Sequence, residues 1–276
     1  PPPPPPPAHS RLPAGGALEL IRGDLADREA LRSLVAGADA VVHLVGIIVE
    51  RGPAATFEAV HVAGTRRLLD AALAAGCRRW VHMSAVGARD QPGATPYHRT
   101  KWRAEELVRT SGMSPAVFRP SIINGPENAP IRMLARLHRW SPVIPVFGDG
   151  RFPVQPIWVG DVARAVALAA EDFRYEGVFE LGGPRALTYE EFVQAIGRAC
   201  GHPRPTLHVP LALARAAAGA FDLLGPAAPL TSAQLQMLVE GSATPHNAIE
   251  SVFGIKPLEF EAGLRKFLQK NQTRGR

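Results

Sequence analysis

The chain has 276 residues, 46% of them hydrophobic, and a net charge of +6. That length supports one large domain or a domain with a smaller lobe, and the apolar content excludes a disordered chain. No apolar run reaches the ~18 residues of a membrane span and no signal-peptide pattern opens the chain. The two cysteines, Cys77 and Cys200, form no C-x-x-C pair. This argues against a disulfide framework or thiolate metal site and for a reducing, cytoplasmic compartment. The arginines are spread through predicted helices without a recognition motif, so the basic charge reads as solvated surface and not as a nucleic-acid footprint.

Residues 1–16 are irregular. Pro1 to Pro7 can form only an extended polyproline helix, readable as a partner ligand or as a misassembled reading frame. From Ala17 strands and helices alternate, the pattern of a parallel sheet covered on both faces. Leu18–Arg22 is a short predicted strand ending in Gly23-Asp24, and Asp27 caps a helix running to Val35. Ala40–Val45 is almost wholly apolar, as for a strand buried on both faces. Phe57–Ala75 is a helix stopped by Gly76, Trp80–Ser84 a strand, Pro96–Thr110 a helix with proline in its first turn, and Ala116–Arg119 a strand.

After Asn124 the pattern shifts to a smaller, mostly helical lobe spanning residues 126–276, which completes the domain at 17–125. Its predicted helices are Ile131–Trp140, Asp161–Ala170, Thr188–Cys200 with a capping box, Leu211–Leu224, Thr231–Glu240 and Leu258–Gln269. Ser141–Pro156 is a Pro/Gly-rich stretch, and Gly177–Leu181 and Thr206–Val209 are strands. The Ala/Leu-rich Leu211–Leu224 helix either packs on its own lobe or meets a bilayer or partner.

Tyr97-His98-Arg99-Thr100-Lys101 carries the clearest chemistry. Residues i and i+4 share a helix face. An ammonium beside a phenol favours the phenolate, so Tyr97 is a candidate proton donor or acceptor for a carbonyl or alcohol. Ser84 ends the preceding strand, where open α/β sheets bind ligands. One loop brings its hydroxyl toward the same substrate oxygen. His43, His82 and His98 form no defensible metal-ligand set.

Strand–Ser–loop–Tyr-x-x-x-Lys resembles the short-chain dehydrogenase/reductase superfamily, in its extended or atypical, epimerase/dehydratase-like form. VVHLVGI (41–47), GTRRLLDAALAAGC (64–77), VHMSAVGA (81–88), YHRTK (97–101), FRPSIINGP (118–126) and QPIWVGDVARAV (155–166) are similar to the branch holding the nicotinamide-binding accessory subunit of respiratory complex I and its bacterial relatives. The resemblance implies a doubly wound, Rossmann-like sheet and NAD or NADP as cofactor. Asp24 and Leu25 would lie along the adenine; Leu44, Val45 and Gly46 would line the dinucleotide; Lys101 would hold the nicotinamide ribose; Pro120, Ser121, Ile122 and Ile123 would border the nicotinamide. Asp161 reads as a helix N-cap before a ligand contact. His61 stands where extended members carry Asn, and reads as a surface or partly buried side chain without a catalytic role.

The fold should open strand–Gly-x-x-Gly-x-x-Gly–helix, and nothing before Leu18 fits. The expectation is therefore a sheet truncated at its N-terminus, lacking its first two strands and the pyrophosphate cradle, with weak dinucleotide binding. Two functions remain open. One is an oxidoreductase or epimerase on an unknown small-molecule carbonyl or alcohol, with Tyr97 transferring the proton, Lys101 tuning it and Ser84 orienting the oxygen. The other is a non-catalytic accessory subunit or assembly factor of a respiratory or quinone-linked complex, peripheral to the inner membrane.

Overall fold

A computed structural model describes residues 18–225, 228 and 230–269; the polyproline run lies outside them. Its centre is a four-stranded parallel sheet built from β1 (Ala40–His43), β2 (Arg79–Met83), β3 (Ser114–Pro120) and β8 (Gly177–Leu181), in that spatial order. On one face lie α1 (Arg28–Val35), α2 (Thr65–Ala74) and α3 (Pro96–Arg109); on the other lie α5 (Val159–Glu171) and the short α9 (Ala248–Ser251). This is the layered α/β arrangement that the alternation of elements predicts.

Two expectations near the start are corrected. Leu18–Arg22 forms no strand; Leu18 and Leu20 are exposed, and no neighbouring strand offers them a ladder. The Ala40 strand stops at His43 and is an edge strand among the described residues, so Val42 faces outward while Val41 and His43 are buried. An apolar run therefore marked one buried face here, not two.

The long helix after Phe57 is also divided. Glu58–Gly64 is a π-helical stretch that passes into α2 at Thr65. The wider π winding rotates the residues before α2 relative to those within it. Gly64 is required where Leu25 crosses, since a Cβ there would lie 2.6 Å from Leu25 Cδ1.

One buried cation joins the sheet to α5. Arg79 at the start of β2 is wholly buried. Its Nε donates to the Ala169 carbonyl at 2.6 Å and its Nη2 to the Tyr175 carbonyl at 2.7 Å. The guanidinium thus satisfies a carbonyl that the last turn of α5 leaves without an intrahelical donor.

The second half builds its own apolar core from α4 (Ala129–Trp140), β5 (Ile144–Phe147), α6 (Tyr189–Ala199) and α10 (Phe260–Leu268). Thr188 and Glu191 form the predicted capping box on α6. The Pro/Gly-rich stretch contains β5, which pairs in parallel with β10 (Thr206–Val209). Two-residue strands add short pairings: β4 (Ile123–Asn124) with β7 (Ile157–Trp158), which ties the first half to the second, and β6 (Pro153–Val154) with β9 (Leu187–Thr188) within the second. In α7 (Leu211–Asp222), Ala214 and Ala218 pack toward Leu235 of α8 (Ser232–Glu240), leaving Leu213 and Phe221 outside. Asp161 is not an N-cap: α5 begins at Val159 after Trp158, and Asp161 Oδ2 accepts the Leu258 N–H at 2.8 Å. No helix among the described residues is long and apolar enough to cross a membrane.

Candidate functional site

The carboxyl ends of β1, β2 and β3 meet the start of α3. Thr95 caps that helix by accepting the His98 N–H, and Pro96 occupies its first turn. Tyr97 and Lys101 follow on one face.

Lys101 is buried, and its Nζ donates to the Met83 carbonyl at 2.9 Å. Burial lowers its pKa to about 8, against the opposing pull of Glu105. Gly46 leaves room for this ammonium, because a Cβ there would stand 2.8 Å from Nζ. Leu44 and Val45, one and two residues past β1, are 56% and 48% exposed and form an apolar lip beside it.

Tyr97 is half-buried, edge-on to Phe57, His61 and His98, with ring centroids 5.4–5.9 Å apart. Burial raises its phenol to about 12. The expected lowering by Lys101 is not what the structure gives: the ammonium's hydrogen bond goes to Met83, and desolvation dominates at the phenol.

Ser84 is buried immediately after β2, and its hydroxyl donates to Glu105 Oε1 in a short hydrogen bond. Glu105 is fully buried and pairs with Arg119 of β3, which donates Nε to Oε1 at 2.9 Å and Nη2 to Oε2 at 2.6 Å. This two-pronged contact fixes the carboxylate in its plane. Sequence reasoning passed over Glu105, although it continues the Tyr97–Lys101 spacing by one more turn.

His61 occupies the π-helical stretch and is 1% exposed. Its Nε2 accepts the Ile47 N–H at 3.1 Å, so Nδ1 carries the proton and donates to Thr100 Oγ1 at 2.9 Å. Thr100 passes its own hydroxyl hydrogen to the Pro96 carbonyl. Burial and the nearby Lys101 hold the His61 pKa at about 3, so the ring is neutral. It fastens the loop after β1 to α3. The expectation of a surface or partly buried histidine understated this.

The remaining predicted positions divide. Asp24 Oδ1 accepts the Ala26 and Asp27 N–H groups in an exposed turn, and Leu25 packs beneath Gly64. Pro120 ends β3 with its carbonyl taken by Val86 N–H. The Ser121 hydroxyl donates to Ser242 Oγ and accepts the Gln155 N–H. Ile122 and Ile123 run into the β4–β7 pairing. Beneath the site, His43 and His82 are register partners with rings 5.5 Å apart. Both nitrogens of His82 lack a protein partner, and burial drives its pKa well below the usual value. Among the described residues no group of three His, Cys, Asp or Glu side chains is placed to hold a metal ion.

Residues 5–182 match the NAD dependent epimerase/dehydratase family. The chain belongs to that family. It is 31% identical to a dTDP-glucose 4,6-dehydratase of Streptomyces niveus, over 66% of this chain and 60% of that protein. It is 25% identical to the mitochondrial NADH dehydrogenase [ubiquinone] 1 alpha subcomplex subunit 9 of Arabidopsis thaliana, over 76% of this chain and 52% of that protein. The matched region thus spans less than two thirds of either relative. The fold is shared with MoeE5 solved in complex with UDP-glucose and NAD, at a TM-score of 0.70 and 22% identity, over 92% of this chain and 85% of that one.

Proposed function

We propose that this family member binds NAD or NADP without turning it over, as an accessory subunit or assembly factor of a respiratory or quinone-linked complex. The observation that carries this reading is the Ser84 hydroxyl. Its hydrogen goes to Glu105, which Arg119 locks in place, so Ser84 offers a ligand lone pairs and no proton. A carbonyl oxygen needs a donor, and the serine expected to orient it supplies none. The kinship with a named subunit of mitochondrial NADH dehydrogenase points the same way.

The residues fit one half of a dinucleotide. Leu44 and Val45 present apolar surface, Gly46 admits close approach beside Lys101, and Lys101 would hold the nicotinamide ribose with Pro120–Ile123 bordering the ring. Asp24 and Leu25 would take the adenine side. Among the described residues no glycine-rich turn leading into a helix stands beside β1 to take the pyrophosphate.

A second reading, an oxidoreductase or epimerase on a carbonyl or alcohol, is favoured by the Tyr97–Lys101 pair. When bound, the nicotinamide would supply or accept the hydride, and Tyr97 would exchange a proton at the substrate oxygen. Calorimetry with NADH and NADPH, alongside turnover assays with carbonyl substrates, separates the two. Binding without turnover is expected. Turnover that falls by orders of magnitude in Tyr97→Phe while binding persists would establish the enzyme instead.

A further inference from the structure

Helix α4 lies in the second half, away from Tyr97 and Lys101 in the chain, and its sequence APIRMLARLHRW contains no acidic residue. Ile131, Leu134 and His138 form its buried side. At about 100° per residue, Arg132, Arg136 and Arg139 fall within one narrow stripe on the opposite side, with Met133 and Trp140 along one border of that stripe. The solvent meets all five: Trp140 is 81% exposed and Met133 54%, and the three arginines are exposed as well. None of the ion pairs seen among the described residues involves these three arginines. Pro142 and Val143, also exposed, extend the apolar border past the helix end. Arg204 adds a fourth cation there, its Nε donating to the His138 carbonyl at 3.1 Å.

We infer that this face of α4 docks on an anionic phospholipid surface. A helix lying in the membrane interface needs an apolar strip to enter the headgroup region and cations that reach the phosphates. Trp is the side chain best suited to that depth, having an apolar body and a polar N–H. The arginine stems add apolar length while their heads stay at the phosphate level. An acidic protein or a nucleic acid would satisfy the arginines equally. Trp140 is the single π-face on this border, and the aliphatic Met133 and Val143 flanking it favour hydrocarbon over a row of stacked bases. The stripe shares no residue with the dinucleotide site, so the inference does not depend on that reading.

The test is flotation of the whole chain with vesicles of phosphatidylcholine alone and of phosphatidylcholine mixed with phosphatidylglycerol. Binding is expected to the mixed vesicles only, to weaken with added salt, and to blue-shift the tryptophan emission. Replacing all three arginines (Arg132→Glu, Arg136→Glu, Arg139→Glu) should reduce binding by roughly tenfold or more, with an unchanged circular dichroism spectrum because the side chains are exposed. Trp140→Phe should remove most of the blue shift, since Trp140 is the most exposed of the four tryptophans, Trp102 and Trp158 are half-buried, and Trp80 is fully buried. Equal binding to neutral vesicles, undiminished binding by the folded triple variant, or retention of single-stranded DNA or an acidic peptide with no vesicle binding would each overturn the assignment.

Discussion

The two faces of the central sheet are filled by opposite strategies. Against α5 and α9 the sheet presents Val81, Phe118 and Leu181, which meet Ala165, Ala169, Ile249 and Phe253 in an apolar layer, with the always-charged Arg79 as its buried cation at one end. Against α2 and α3 it presents His43, His82, Ser84 and Arg119 beside Lys101 and Glu105, with apolar packing confined to the end nearest Trp80. The strands are the same; only the alternate residues differ. The apolar face holds the sheet together through contacts indifferent to pH. The polar face is stable only while each buried group keeps its partner or its neutral form.

Breaking the Glu105–Arg119 pair should have the largest effect. Glu105→Ala removes the acceptor of the Ser84 hydroxyl and leaves Arg119 only the longer ion pair with Glu180 at 3.8 Å, and should cost about 2–4 kcal/mol in urea unfolding. A loss below about 1 kcal/mol would mean that the pair contributes geometry and little stability. On the other face, Ala165→Leu forces extra atoms into a fully buried layer and should cost about 1–3 kcal/mol, by the same amount at pH 5 and pH 8. A marked pH dependence of that loss would undo the contrast between the faces.

The smallest effect at neutral pH, and the most diagnostic, concerns the histidines. His43 and His61 titrate at about 4 and about 3 in the fold, and at about 6.5 when unfolded. The unfolded chain therefore takes up their protons first as pH falls. Their contribution to stability is complete above pH 6.5 and declines progressively toward pH 3. His82, depressed in the same direction by burial, adds to this limb. Because its nitrogens lack protein partners, His82→Leu should change stability by less than about 1 kcal/mol at pH 8 and flatten the acid decline. A thermal-melt series from pH 4 to pH 8 with an unaltered slope would show that the decline arises elsewhere.

What the sequence made legible follows the same division. Helix periodicity, the Thr188 capping box and the i, i+4 spacing of Tyr97 and Lys101 are local, and the structure contains the helices they predict. Pairing is not local. Ile144–Phe147 becomes a strand because β10 lies beside it, which nothing within a Pro/Gly-rich stretch announces. Leu18–Arg22 has strand composition without a neighbour. The same limit applies at the site. Hydroxyls have several possible partners, and only the fold decides that Ser84 turns to Glu105. The π winding that swings His61 onto Thr100 leaves no periodic mark, since Phe57 to Ala75 reads as one continuous helix.

Arg79 carries a consequence for how the molecule opens. The end of a helix ordinarily frays, because its last carbonyls are held by water and exchange quickly. The last turn of α5 is instead tied at Ala169, together with the following segment at Tyr175, to a guanidinium rooted in β2. For α5 to peel away at that end, a buried cation must lose its acceptors, which costs more than the breathing of a free helix terminus. The amides at the end of α5 should therefore exchange with deuterium at rates near those of β2, so that helix and strand act as one cooperative unit.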